Sequence, residues 1–153
     1  MSLRVCVDSS VIVKWFRKGE EHEGEALRLR DEALSSKACP TMCEWVYLEV
    51  VRALVKAGYP KGKIVEAYKI LREMAELGFI ETVPVRDLLE RAKELEIELN
   101  LYASDAVNLA TAIINSENML TEDKHLLRDD VRSYAEKLGL RIIRLKESYL
   151  KVN

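Results

Sequence analysis

Short apolar runs alternate along the chain with longer stretches in which apolar residues recur every three or four positions. The runs of strand length cover residues 3–7, 38–40, 79–83, 119–120 and 140–145. The helical patterns cover residues 11–16, 22–34, 41–57, 60–78, 85–99, 104–115 and 130–138. Such alternation is typical of parallel βαβ units with helices on both faces of one sheet. The pattern therefore predicts a single α/β domain over residues 1–153.

The stretch from residue 102 to residue 125 has the clearest pattern. Ser104 and Asp105 stand at the predicted N-cap and first turn of an apolar helix, and a short strand later ends before Asp123. In an open parallel sheet, the carboxyl end of a strand and the start of the neighbouring helix lie at the same edge. Asp105 and Asp123 are therefore predicted at one edge, and two acids there suggest a metal site.

Two further acids, earlier in the chain, are candidates for the same metal site. Asp8 closes the first strand, and Glu49 lies mid-helix among apolar residues, where a charge is costly unless it is paired or bound to a metal. Glu44 is the second candidate for the helix acid. It also completes a capping box with Thr41, which predicts that the helix begins there.

Each acid also has a purely structural interpretation. The three aspartates suit helix caps, and Glu49 suits a surface ion pair with Arg52 or Lys56. Taken together, the four acids favour a metal site over separate structural roles, because carboxylates crowded at one edge repel one another unless a cation neutralises them. Magnesium prefers oxygen ligands and keeps several waters, so few carboxylates suffice to hold it, and manganese fits as well.

Composition narrows the function classes. The 153 residues carry a net charge of −2, which argues against a basic protein that coats nucleic acid. No apolar run approaches the roughly 20 residues of a membrane span, and the amino terminus does not resemble a signal peptide, so we expect a cytoplasmic protein. The three cysteines form no CxxC pair, and neither histidine lies in a triad motif.

Four segments together resemble the PIN-domain family, and in particular the small VapC toxins of VapBC toxin–antitoxin pairs. In chain order the segments are VDSSVIVKW, EVVRAL, YASDAVNLATAI and MLTEDKHLL. The resemblance implies a three-layer α/β/α fold with a central parallel sheet. It also implies a magnesium- or manganese-dependent ribonuclease that hydrolyses phosphodiester bonds.

On this resemblance the catalytic and metal-binding residues are Asp8, Glu49, Asp105 and Asp123, with supporting hydroxyls from Ser9 and Thr121. The implied partners are an RNA substrate, a VapB-like antitoxin and a second copy of the chain in a homodimer. Two alternatives stay open. One is a housekeeping PIN nuclease in RNA processing or decay, and the other is a non-catalytic PIN scaffold that binds RNA or protein.

Overall fold

The computed structural model describes residues 3–149. The strands are β1 (Leu3–Val7), β2 (Ala38–Cys43), β3 (Glu81–Val83), β4 (Asn118–Leu120) and β5 (Arg141–Ile143). The helices are α1 (Ser9–Ile12), α2 (Glu23–Leu34), α3 (Trp45–Lys56), α4 (Lys61–Glu76), α5 (Leu89–Leu99), α6 (Ala103–Asn115) and α7 (Asp129–Lys137). Short 3₁₀ turns follow α1 at Val13–Trp15 and precede α5 at Val85–Leu88, and a π-helical turn covers Leu145–Tyr149.

All five strands lie parallel in one sheet, in the order β3-β2-β1-β4-β5. The predicted three-layer α/β/α class with a central parallel sheet is confirmed. The strand order reverses direction between β1 and β4, and open sheets bind ligands outside the carboxyl ends of the strands at such a switch point. Val7 of β1 pairs with Leu120 of β4, so Asp8 and Thr121 follow side by side at this edge.

Helix α6 is the central helix of the domain. It packs on β1 and β2 and is covered from outside by α5. Every residue from Asp105 to Ala112 is buried, which is typical of a helix that is covered on all sides. The alanines of α6 keep it close to the sheet, so the position of its first turn relative to β1 is closely determined.

The predicted capping box at the start of α3 is wrong. Residues 41–43 belong to β2, where Thr41 pairs with Cys6 on one side and Glu81 on the other. Pairing on both sides holds these residues extended, which outweighs the local capping preference. Helix α3 begins at Trp45, and the Glu44 carboxylate accepts a hydrogen bond from the backbone N–H of Val85 at 3.0 Å.

Smaller differences concern where helices begin. The predicted helix over 85–99 is a 3₁₀ turn followed by α5. Helix α6 begins at Ala103, one residue before the predicted N-cap Ser104, and its observed N-cap is Tyr102. Within residues 3–149, no helix has both the length and the hydropathy needed to cross a bilayer.

The fold makes Leu109 a test of how firmly α6 is seated. Leu109 is fully buried, so Leu109→Ala should lower the free energy of unfolding by about 2–5 kcal/mol through lost burial and a residual cavity. Leu89→Ala, the same change at a side chain that is 57% exposed, should cost less than about 1 kcal/mol. Denaturant unfolding measures both, and equal losses would contradict this packing.

Candidate active site at the switch point

The Asp8 carboxylate is the centre of the site. It lies at the end of β1, is 3% exposed, and caps the short helix α1. Its Oδ1 accepts hydrogen bonds from the backbone N–H of Ser10 at 3.1 Å and from the Ser10 hydroxyl at 2.5 Å. Its Oδ2 accepts from the Thr121 hydroxyl at 2.5 Å. Asp8 therefore joins the two strands at the switch point through its own side chain.

Both hydroxyls also accept a backbone hydrogen bond. Ser10 Oγ accepts from the backbone N–H of Glu122 at 2.8 Å, and Thr121 Oγ1 accepts from that of Asp123 at 3.0 Å. Each hydroxyl has one proton, which it donates to an oxygen of Asp8. The arrangement favours an ionised Asp8, because a carboxylate accepts from every side.

Asp105 and Asp123 meet at the same edge. Asp105 lies in the first turn of α6 and is 6% exposed, and the charge of Asp123 raises its pKa. Asp123 follows β4, and its Oδ1 accepts from the backbone N–H of His125 at 2.7 Å. Two neighbouring carboxylates repel each other unless one is protonated or a cation neutralises them.

Glu49 reaches this group from α3. Its Oε1 accepts from the side-chain amide of Asn108 at 3.2 Å, instead of pairing with a cation on its own helix. Asn108 is 2% exposed, lies one turn after Asp105, and its Oδ1 accepts from the Cys43 thiol at 3.3 Å. Asn108 thus links two of the acid-bearing helices. Asn108 was not among the predicted site residues, although a lone amide among the apolar residues of α6 is a usable signal.

Three of the four acids have a raised pKa. Burial is the main cause in each: it raises the pKa of Asp8 to about 6, that of Glu49 to about 7 and that of Asp105 to about 6. The neighbouring acids raise these values further, and for Glu49 the charges of the other three all contribute. Hydrogen bonds from Ser10, Thr121 and Asn108 oppose the rise. The site therefore holds negative charge that the protein compensates only in part.

The charges of Asp8, Asp105 and Asp123 all raise the pKa of Glu49, and Asp123 also raises the pKa of Asp8 and of Asp105. Glu44 lies apart, bonded to the loop before α5. Thr121 contacts Asp8, as the resemblance implied, whereas the serine hydroxyl on Asp8 comes from Ser10. Ser9 instead lines an open pocket beside Glu49. The signal for Ser10 was its place two residues after a capping aspartate, where the backbone N–H bonds the cap.

The donor set suits a hard divalent cation. All four side chains offer carboxylate oxygens, and Asp8 Oδ2, with one hydrogen bond, keeps a lone pair free. Within residues 3–149, no group of three or more His, Cys, Asp or Glu side chains is placed so that it could hold a metal ion directly. Magnesium retains several of its waters, so carboxylates can also hold it through bridging water.

The raised pKa of Asp105 predicts that, in the presence of a chelator, Asp105→Asn increases the stability of the fold in a pH-dependent way. The pKa is about 6 in the folded chain and 3.8 in the reference state, so the stability that the protonated group contributes is full below pH 3.8 and lost as the pH rises through 6. The amide does not titrate and can donate to Asp123. Above pH 6 the variant should be more stable by on the order of 1–3 kcal/mol.

Thermal unfolding in chelator across this pH range measures the effect. Asp129→Asn is the matched control, because Asp129 is exposed in the first turn of α7 and should show no comparable gain. A variant at position 105 that is no more stable than the wild type above pH 6 contradicts the crowding of acids described above.

Comparison with known proteins gives the family of this chain. The model of the PIN domain matches residues 5–131, which include all four acids. Among solved structures, Mycobacterium tuberculosis VapC20, described as a sarcin-ricin loop cleaving toxin, is similar over 78% of this chain and 90% of its own, with a TM-score of 0.62 and 21% identity. PAE2754 from Pyrobaculum aerophilum is similar over 99% and 96%, with a TM-score of 0.60 and 15% identity.

At these identities the two solved structures show a shared fold alone. The search of curated proteins found no match. The family match covers most of the chain, and its span begins in β1 and ends in α7. This chain belongs to the PIN domain family.

Proposed function

We propose that this protein is a divalent-metal-dependent endoribonuclease that uses Mg²⁺, or Mn²⁺ in its place. One observation carries the proposal: four acids from separate parts of the chain converge at the switch point of the sheet, and their burial and mutual repulsion raise the pKa of three of them, although His125 and Arg128 lower that of Asp105. Crowding of this kind costs stability, and a bound cation offsets the cost.

Asp8, Glu49, Asp105 and Asp123 are the residues that would hold the ion, directly or through water. A bound divalent ion lowers the pKa of a coordinated water and neutralises charge on a phosphate. The chain contributes orientation. Ser10 and Thr121 keep Asp8 ionised and fixed, and Asn108 holds Glu49 toward the other acids.

RNA is the substrate that the family and one neighbour favour. VapC20 is described as a toxin that cleaves the sarcin-ricin loop, and a toxin with a VapB-like antitoxin is the reading we prefer for this chain. A homodimer and a cytoplasmic location belong to the same proposal. The alternatives are a housekeeping PIN nuclease and a non-catalytic scaffold. A small upstream gene for a DNA-binding partner favours the toxin over the housekeeping enzyme.

The scaffold and nuclease readings separate in a cleavage assay. With labelled single-stranded RNA, we expect cleavage by the wild type in Mg²⁺ or Mn²⁺ and none in chelator. Asp8→Asn should lose detectable cleavage, because the amide loses the charge that faces the cation. The exposed Asp129→Asn should cleave like the wild type.

The Asp8→Asn protein must be folded for this comparison, which circular dichroism and a cooperative thermal transition establish. Cleavage that continues in chelator, or that persists in folded Asp8→Asn, contradicts the proposed chemistry. No cleavage by the wild type on unstructured and structured RNA favours the scaffold.

Thr121→Val tests the hydrogen bond that keeps Asp8 ionised. The Thr121 hydroxyl lowers the pKa of Asp8, so its removal should raise that pKa above about 6 and shift the acidic limb of the pH profile of kcat/KM to higher pH. We expect a loss of about 10–100-fold at acidic pH, with partial recovery as the pH rises.

Two variants frame this experiment. Thr121→Ser keeps a hydroxyl and should restore the acidic limb. Thr41→Val makes the same change at a buried β2 hydroxyl that has no hydrogen-bond partner among residues 3–149, so it should alter neither the profile nor the stability by much. An unshifted limb in Thr121→Val means that Asp8 ionisation does not limit the reaction.

A further inference from the structure

A second polar cavity lies behind the loop that carries Asp123. Its volume is about 360 Å³, and it lies between the 3₁₀ turn after α1, the loop after β4 and the segment after β5. Four cationic side chains line it, namely Lys14, Lys124, Arg144 and Lys146. We call it the basic pocket. The cations come from three separate parts of the chain, so only the fold assembles them.

Lys14 makes the basic pocket a built site. Its side chain is 8% exposed, and its Nζ donates to the backbone carbonyl of Glu21 at 2.7 Å. An ammonium group carries three donors, so two remain after this bond. Within residues 3–149, no carboxylate lies within ion-pair distance of Lys14. A buried cation that is bonded only to a neutral carbonyl favours an anionic ligand.

The other cations are also available. Across the described part of the chain, Lys124 and Lys146 make no ion pair, and Arg144 approaches only Glu147, at 3.7 Å. Two carboxylates line the pocket as well, Glu21 and Glu122. Glu21 has a side chain that is 85% exposed and lies 3.3 Å from His22. With Arg144 offset by Glu147, the three lysines of the pocket face two carboxylates, which leaves a small positive balance.

The basic pocket adjoins the candidate active site. Glu122 lines it, and the backbone N–H of that residue donates to the Ser10 hydroxyl that bonds Asp8. Lys124 lines it and directly follows Asp123 in sequence. The loop after β4 therefore contributes residues to both the acidic site and the basic pocket.

We propose that the basic pocket binds a phosphate of the RNA strand beside the phosphate that is cleaved. The inference rests on the proposed function. It adds a second phosphate contact, which would set the direction in which the RNA strand crosses the acids. The acidic centre repels RNA when no cation is bound, so attraction must come from nearby cations. A compact cavity with a buried ammonium suits a phosphate group better than a bulky protein segment.

The test measures RNA binding apart from cleavage. A fluorescein-labelled uridine homopolymer is titrated, in chelator, with Asp8→Asn protein that also carries Lys124→Glu or Lys146→Glu, and fluorescence anisotropy is followed. Each reversal should weaken binding about tenfold at low salt. It should also reduce the slope of log affinity against log salt by about 0.7, the value for one lost phosphate contact on a single strand.

Lys69→Glu on the same background is the matched control, because Lys69 is exposed on α4, away from the pocket. Thermal transitions confirm that all variants are folded. Selective loss in the two pocket variants supports the proposal. Equal loss in Lys69→Glu overturns it in favour of general charge attraction.

Unchanged RNA binding in both pocket variants also overturns the proposal. If the same variants instead lose binding of a polyglutamate peptide, the pocket belongs to an acidic protein segment. Cleavage by the otherwise wild-type chain is assayed separately. If the wild type fails to cleave while the pocket variants lose RNA affinity, the nuclease proposal fails and the phosphate site stands.

Discussion

The hydrogen bonds of the Asp8 carboxylate are the interaction on which the arrangement of this site depends. Asp8 closes β1, and Thr121 closes β4, the strand beside it in the sheet. Their contact joins the two strands where the order of the sheet reverses, and Ser10 completes the shell from α1. The backbone of Glu122 and Asp123 then fixes both hydroxyls. A structural cap and the centre of a candidate active site are therefore the same side chain.

The acids around Asp8 oppose the stability of the fold. Burial raises the pKa of Asp8, Glu49 and Asp105, and the neighbouring acids raise it further, whereas His125 and Arg128 lower the pKa of Asp105. Hydrogen bonds from hydroxyls and from the Asn108 amide offset part of this cost. The remainder is what a divalent cation would neutralise. The same residues thus account for the cost in stability and are the ones that would bind the cation in the proposed enzyme.

Acidic and basic surfaces divide the work in the proposed enzyme. The acids by themselves repel a polyanion, whereas the basic pocket beside them attracts it. The loop after β4 serves both, since Asp123 turns toward Asp105 while Lys124 lines the basic pocket. Alternating side chains on one short loop thereby place a candidate metal ligand and a candidate phosphate ligand next to each other.

The sequence by itself determined the fold class and the candidate acids. Alternation of apolar runs predicted the parallel α/β sheet, and the rule that strand ends share an edge placed Asp8 and Asp123 together before any geometry was known. Two elements, β1 and α2, were found within a residue of their predicted ends. The local pattern sufficed there, because the spacing of the apolar residues matches the positions that are buried in the structure.

Only the tertiary structure decided which side chains contact one another at the site. The capping box at residues 41–44 was wrong because pairing with two neighbouring strands overrides a local preference. Ser10, Asn108 and the basic pocket depend on contacts between residues far apart in the chain, as in the bond from Asn108 to Glu49. Sequence spacing carries no information about such contacts, because they form only when separate helices pack on the same sheet.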